Sequence, residues 1–416
     1  MKATFSPSSV SGTVQAVPSK SHAHRLLIAA ALSDAPTKVI CPALSRDIEA
    51  TAGCLAALGS GIVRTEDGFE VTPISTPAKG VVADCGESGS TLRFLLPVAC
   101  ALGAEVTFTG EGRLPSRPIG SLARTLRAGG ALLDADSLPL TTGGKLCGDT
   151  FEVDASVSSQ YVSGMLFALA YMGGGCTLKR MGNAVSEGYT EMTLDVLALF
   201  GKRVQKTRDG FFLPAGRLHS PGIVRAEGDW SSAAFMLAAG ALTGDVTVTG
   251  LDRASAQRDK AMADILASMG ADVSFPDGTA CRVKKAPLHA VETDMEDTPD
   301  LAPVLAVVMA AAEGKSVMRG VSRLRVKESD RLAAILSDLE HMGVRAETDG
   351  NTLTIYGGEI KPFAVKGYGD HRMVMSAAVA GLVAGGETDD AEAVAKSYPA
   401  FFRDLAALGG KVNETV

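Results

Sequence analysis

Stretches rich in Ala, Leu and Met, each opened by a polar turn, recur about every 70 residues along this chain. They read SKSHAHRLLIAAAL from Ser19, ESGSTLRFLLPVACAL from Glu87, SSQYVSGMLFALAYM from Ser158, DWSSAAFMLAAGAL from Asp229, DLAPVLAVVMAAAEG from Asp300 and DHRMVMSAAVAGLVAG from Asp370. Their length and composition predict helices. After each, a Gly-containing turn leads to a short β-rich segment, a second helix and a final strand-like segment. The second helices run up to LAALG, TLRAGG, VLALFG, ILASMG, DLEHMG and DLAALGG, which puts Gly at or just past the helix end.

A βα-type unit of this length is too long for a solenoid repeat, whose period is usually about 20 to 50 residues. Two globular lobes of three units fit better. The break falls near Pro221–Gly228, where PGIVRAEGD supplies the Pro and Gly of a hinge. A two-lobed protein is expected to hold its ligand between the lobes.

Composition changes the picture mainly by exclusion. The 416 residues suffice for about two or three domains, and 46% hydrophobic with 21% charged residues is ordinary for a folded soluble protein. A net charge of −7 argues against sequence-independent nucleic-acid binding, so any anionic ligand must meet a local positive field. No segment reads as a secretory signal or a bilayer span, and the cytoplasm is the expected compartment. The seven cysteines (Cys41, Cys54, Cys85, Cys100, Cys147, Cys176 and Cys281) are scattered and never spaced C-x-x-C, so they read as reduced core thiols.

Charge placement is the first chemical signal. A helix N-terminus carries free N–H groups and about half a positive charge, which favours acids there and disfavours bases. This chain repeatedly puts bases there: Lys20 and Arg25, Arg93, Arg117 before Pro118, Lys327 and Arg331, His371 with Arg372, and Lys396 before SYPAFF. Any one of them alone is an ordinary surface base. Repeated wrong-sign placement points to phosphates or carboxylates bound over both the cation and the N–H groups. Ser158, Ser159 and Gln160 could cap a helix or hold a phosphate oxygen, and Gly89 would let backbone approach a ligand. Among the bases stand two acids, Asp300 and Glu328, for which an N-cap and a solvated helix face are the plainer explanations. His22 and His24 are two apart and lack the spacing of helical zinc ligands; no metal or other cofactor is expected.

Nine ordered stretches carry a resemblance over essentially the whole chain: PSKSHAHR (18–25), SGSTLR (88–93), TGEGRLPSRPIG (109–120), SSQ (158–160), SEGY (186–189), TPD (298–300), RVKESDR (325–331), GDHRM (369–373) and AKSYPAFF (395–402). The chain resembles the 5-enolpyruvylshikimate-3-phosphate synthase family, the 3-phosphoshikimate 1-carboxyvinyltransferases. The resemblance implies an α/β fold, a two-lobed inverse α/β barrel of six βαβαββ repeats, three per lobe. Residues 20–225 would form the N-terminal lobe and 226–416 the C-terminal lobe, which would also take in residues 1–19. It further implies a monomer whose partners are small substrates, with no nucleic acid and no membrane.

By the same resemblance, Lys20, Ser21, Arg25, Ser158, Ser159, Gln160, Ser186, Tyr189, Asp300 and Lys327 would contact shikimate-3-phosphate. Lys20, Gly89, Arg117, Gln160, Arg331, Arg372 and Lys396 would meet phosphoenolpyruvate, whose place the inhibitor glyphosate takes against Gly89. Asp300 would be the base at the acceptor hydroxyl, and Glu328, with Lys20, the proton partner of the methylene carbon. Two dianionic groups about 6 Å apart at an effective dielectric of about 20 repel by on the order of 10 kcal/mol, so a basic cleft in an acidic protein is required. Lobe closure would exclude water. Two positions depart from the family pattern, Glu87 where an Asn is usual and Arg323 where many members have Asn. The rival readings are the sister transferase that uses UDP-N-acetylglucosamine, whose reactive Cys is missing from the loop EGRLPSR, and a non-catalytic anion-binding protein, which would not need Asp300 and Glu328 together.

Overall fold

Each of the six apolar runs forms a helix, and in the computed structural model, which describes residues 1–415, each is followed by a second one. In chain order they are α1 (Lys20–Ala31), α2 (Arg46–Ala57), α3 (Gly89–Leu102), α4 (Gly120–Ala128), α5 (Ser159–Met172), α6 (Glu187–Leu199), α7 (Trp230–Thr243), α8 (Ala261–Ser268), α9 (Ala302–Ala310), α10 (Arg331–His341), α11 (His371–Ala384) and α12 (Phe401–Ala407). Polar side chains start several of the long helices by accepting their free N–H groups: Ser88 from Thr91, Ser158 from Gln160, Asp229 from Ser231 and Ser232, and Asp370 from Arg372. The second helices stop at glycines. After α10, Gly343 takes a φ of 73°, which lets the Val344 N–H reach back to the Leu339 carbonyl at 2.8 Å.

The strands make six four-stranded sheets with one pairing scheme. In the third, Thr150–Asp154 runs parallel to Cys176–Met181, which pairs antiparallel with Gly210–Leu213, itself antiparallel to Gln205–Thr207. Three sheets complete this scheme with a strand distant in sequence. Ile223–Arg225 runs parallel to Thr37–Ile40, Ser11–Gln15 runs parallel to Asp245–Thr249, and Lys2–Ser6 lies between Gly386–Thr388 and Lys411–Thr415.

The chain thereby divides into two compact units, Lys20–Ala226 and Met1–Ser19 joined to the chain from Glu227 onward. Ala226, which the resemblance put with the C-terminal lobe, falls in the first unit, where its N–H donates to the Ile40 carbonyl at 2.9 Å. Each unit has its own core. The long helices are nearly buried all round, as their unbroken apolar composition requires; every residue of α9 is buried. In the first unit Phe94, Tyr161 and Phe167 fill the centre, and in the second Trp230, Phe235 and Phe401 do. Six of the seven cysteines are buried and all seven are free thiols, but Cys147 is exposed and is no core thiol. It follows Leu146, and both its N–H (2.8 Å) and its thiol (3.5 Å) donate to the Gly129 carbonyl.

One buried acid makes the second unit's stability depend on pH. The Asp338 side chain on α10 is nearly enclosed, and burial, reinforced by the charge of Asp389 and opposed by a hydrogen bond from Tyr368, pushes its carboxyl from 3.8 up to about 8. A carboxyl raised on folding stabilises fully below its unfolded value, and that contribution is lost as pH rises towards about 8. Asp338→Asn, neutral at every pH, is therefore expected to match the parent's melting temperature at pH 4 and exceed it at pH 9. Each pH unit of that window carries at most about 1.4 kcal/mol. Thermal unfolding followed by circular dichroism checks this; equal melting temperatures at both pH values would count against a buried neutral Asp338.

Candidate active site

In the first unit, basic and hydroxyl side chains gather at the starts of α1, α3, α5 and α6. Lys20 is the first residue of α1, and its ammonium bonds the Asp47 carboxylate at 2.8 Å. Arg25, one turn on, is 2% exposed. Its guanidinium donates to Thr193 Oγ1 (2.8 Å), the Ser21 carbonyl (2.7 Å), the Tyr189 carbonyl (2.8 Å) and Ser163 Oγ (3.4 Å), and it lies 4.8 Å above the Phe94 ring. These acceptors are all neutral. Burial lowers the Arg25 hold on its proton to about 9, still cationic at neutral pH. A buried cation hydrogen-bonded to neutral oxygens attracts an anion. Ser186, which precedes α6, has a φ of 51° that a non-glycine residue rarely adopts, and its side chain does not cap the helix. Such local strain is typical of functional positions.

Ser158 caps α5, and the buried Ser159 and the half-buried Gln160 follow it in the first turn. The Gln160 amide accepts from Arg93 at 2.8 Å and donates to Ser90 Oγ at 2.9 Å, which ties the start of α5 to α3. Gly89 opens α3 directly against Arg117: a Cβ added there would lie 2.6 Å from Arg117 Nη1 and 2.9 Å from Cζ. The structure thus brings Gly89, Arg117, Arg93 and Gln160 together. Of the two departures from the family pattern, Glu87 lies against Gly112, where an added Cβ would approach its carboxylate to 2.6 Å. Arg323, in the second unit, acts through its charge on Lys327.

In the second unit the acids and bases form one network. Asp300 sits in the turn before α9 and does not cap it, since Leu301 holds that position. Its carboxylate accepts from Lys327 (3.3 Å) and Arg331 (2.8 Å) on one oxygen and from Arg372 (3.0 Å) on the other. Glu328 is no solvated helix-face residue: it accepts from Arg331 at 2.8 Å. Arg331, 1% exposed, also bonds Asp370 at 2.8 Å through Nε. Burial disfavours the Arg331 charge, but Asp370, Glu328 and Asp300 outweigh it and raise its affinity for the proton. Burial would raise the Asp370 carboxyl, and Arg331 with His371 outweigh that and hold it below its usual range. Lys396 donates to the Gly369 carbonyl at 2.6 Å, beside the Asp370–Arg372 segment.

Two acids were missed from the sequence. Asp370 was visible only as the residue opening a helix, and Asp47 lies in the first turn of α2, where an acid is the default. Their partners answer why Lys20, Arg331 and Arg372 tolerate helix starts: acids from other segments lie against them.

The nine motifs and this geometry meet in the comparisons. A family model described as EPSP synthase (3-phosphoshikimate 1-carboxyvinyltransferase) matches residues 5–405. The chain belongs to the EPSP synthase family. Family relatives named 3-phosphoshikimate 1-carboxyvinyltransferase include that of Methanothrix thermoacetophila, 40% identical with 99% of both chains covered. Another, from Methanocorpusculum labreanum, is 36% identical with both chains covered completely. The family fold is present in a solved EPSP synthase from Acinetobacter baumannii, with a TM-score of 0.83 at 24% identity over 99% of this chain and 100% of that one. Among the described residues no helix is long and apolar enough to cross a membrane, and no cluster of His, Cys, Asp and Glu is suited to hold a metal ion.

Proposed function

We propose that this member of the EPSP synthase family transfers the enolpyruvyl group of phosphoenolpyruvate to the 5-hydroxyl of shikimate-3-phosphate, releasing phosphate, as a step in aromatic amino-acid biosynthesis. The observation that carries the residue assignments is Asp300, a carboxylate bonded by Lys327, Arg331 and Arg372 with Glu328 on the same arginine. A merely anion-binding protein has no use for two carboxylates among its cations. A proton-transferring one does, since substrate anions and acid–base groups must share one field.

In this account Arg25, Ser21, Ser158, Ser159, Ser186 and Tyr189 hold shikimate-3-phosphate together with Lys327, and Gln160 and Lys20 reach both substrates. Gly89, Arg117, Arg331, Arg372 and Lys396 hold phosphoenolpyruvate. Asp300 takes the proton of the 5-hydroxyl as its oxygen attacks C2, while C3 gains a proton from Glu328, with Lys20 assisting. The resulting methyl group then returns a proton as the C2–O bond to phosphate breaks, which regenerates the C=C bond. The cations stabilise the charge that collects on the departing phosphate.

Gly89 gives a test of the phosphoenolpyruvate placement. Gly89→Ala would push a methyl group into the Arg117 guanidinium, the movable end of a long side chain. The Michaelis constant for phosphoenolpyruvate is expected to rise, and the glyphosate inhibition constant to rise more. Steady-state kinetics checks this; equal changes in the two constants would remove Gly89 from that site.

Reduced thiols support a cytoplasmic location. The acceptor is tested by measuring phosphate release with shikimate-3-phosphate and, separately, with UDP-N-acetylglucosamine. Release only with the first is expected; release with the second alone would reassign the acceptor.

A further inference from the structure

His24, Thr51 and Thr91 have no place in the reaction described above, yet they join Ser88 in one buried chain, all four at most 1% exposed. His24 Nδ1 lies 2.7 Å from Thr51 Oγ1, which lies 2.6 Å from Thr91 Oγ1, and the Thr91 hydroxyl donates to Ser88 Oγ at 2.7 Å. The Thr91 N–H donates to the same Ser88 oxygen at 3.2 Å, the bond that caps α3 one residue before Gly89. The chain therefore runs from α1 through α2 to the turn that opens α3.

A hydroxyl has one hydrogen to give, and this sets the direction of every link. Thr91 gives its hydrogen to Ser88, so Thr51 must give its own to Thr91, and His24 must then donate from Nδ1. The ring is thereby held as the Nδ1–H tautomer. Burial, with the nearby charges of Lys20 and Arg25, keeps it neutral, and Nε2, buried with no partner among the described residues, is left as a bare lone pair. The Phe94 ring of α3 packs against the imidazole at 84°, with centroids 6.5 Å apart, and so fixes its orientation as well.

The links follow the helix period. His24 lies one turn after Lys20 on α1, and Thr51 one turn after Asp47 on α2, so the His24–Thr51 bond and the 2.8 Å Lys20–Asp47 ion pair are two rungs between the same two helices. Apolar side chains of similar size would fill the same space while leaving α3 free to settle in more than one register. A chain of directed hydrogen bonds admits one. We infer that His24, Thr51 and Thr91 are positioning residues for phosphoenolpyruvate, a one-way hydrogen-bond chain that holds the Ser88–Gly89 turn in register with the Lys20 end of α1. This rests on the proposed placement of Gly89 against phosphoenolpyruvate.

The experiment measures both Michaelis constants in Thr51→Val and Thr51→Ser. Valine keeps the shape of the side chain but leaves the His24 Nδ1–H and Thr91 Oγ1 without the hydroxyl between them. The constant for phosphoenolpyruvate is expected to rise about three- to tenfold and that for shikimate-3-phosphate to stay within about twofold of the parent. Thr51→Ser, which keeps the hydroxyl, is expected to return the first constant towards the parent value. A lowered melting temperature with both constants unchanged would mark a structural role alone, and equal rises in both would place the effect elsewhere than at Gly89; either overturns the inference. Should Thr51→Val not fold, nitrogen magnetic resonance of the parent enzyme tests the chain directly. The His24 ring, identified through its contact with Phe94, is expected to carry hydrogen on Nδ1 and none on Nε2, and hydrogen on Nε2 alone would reverse the chain and overturn the inference equally. Gly89→Ala is measured alongside: an unchanged phosphoenolpyruvate constant in that variant defeats the placement of Gly89 itself, whereas a raised one leaves Thr51→Val to judge the chain.

Discussion

Asp300→Asn is expected to lower the turnover number by about 10² to 10⁴, the range that a positioned general base supplies. The substitution keeps the shape of the side chain and one acceptor oxygen. It leaves Lys327, Arg331 and Arg372 without the carboxylate that they share at 2.8 to 3.3 Å. Binding of the anionic substrates need not suffer, because a carboxylate that repels them is gone. The expected signature is a collapsed turnover number with Michaelis constants changed far less, and fluorescence titration of shikimate-3-phosphate separates the two. Activity within about fivefold of the parent would show that the hydroxyl proton goes elsewhere.

The second large effect falls on stability as well as activity. Arg331 is buried and holds Asp300, Glu328 and Asp370 simultaneously, with Asp370 fully buried. Removing one member of a buried ionic cluster leaves its partners desolvated and uncompensated, at about 3–5 kcal/mol. Arg331→Met is therefore expected to lower the melting temperature by several degrees and to abolish measurable activity. Combining it with Asp370→Asn, which removes one stranded charge, is expected to recover part of the stability and none of the activity. Recovery of activity in the double variant, or an unchanged melting temperature in the single one, would contradict the network as described. Arg331→Lys keeps the charge but not the planar fork that reaches three acids, so it is expected to rescue little.

Much of this architecture is legible from apolar patterning, because the long helices are buried almost all round and therefore carry unbroken Ala, Leu and Met. The helix-ending glycines are legible for a steric reason, as positive φ at Gly343 shows. The three borrowed strands are not, since nothing local in Lys2–Ser6 or Ser11–Gln15 records that its partners lie more than 200 residues away. In the site, bases at helix starts stand out because they violate the dipole preference, which marks Lys20, Arg331 and Arg372. Acids at helix starts obey it, and so Asp47 and Asp370 pass unnoticed until their partners are seen. Arg25 and Arg331 look alike in sequence, yet one bonds neutral oxygens and the other three carboxylates.

The central claim is addition of the acceptor hydroxyl to the enolpyruvyl carbon, with proton transfers at C3, followed by loss of phosphate. Turnover in deuterium oxide, followed by phosphorus and proton magnetic resonance, tests it most directly. Phosphate is expected to appear only when shikimate-3-phosphate and phosphoenolpyruvate are both present, and the vinyl methylene of the product is expected to carry deuterium acquired through the transient methyl group. Phosphate released from phosphoenolpyruvate alone, or a product whose methylene carries no deuterium, would contradict it.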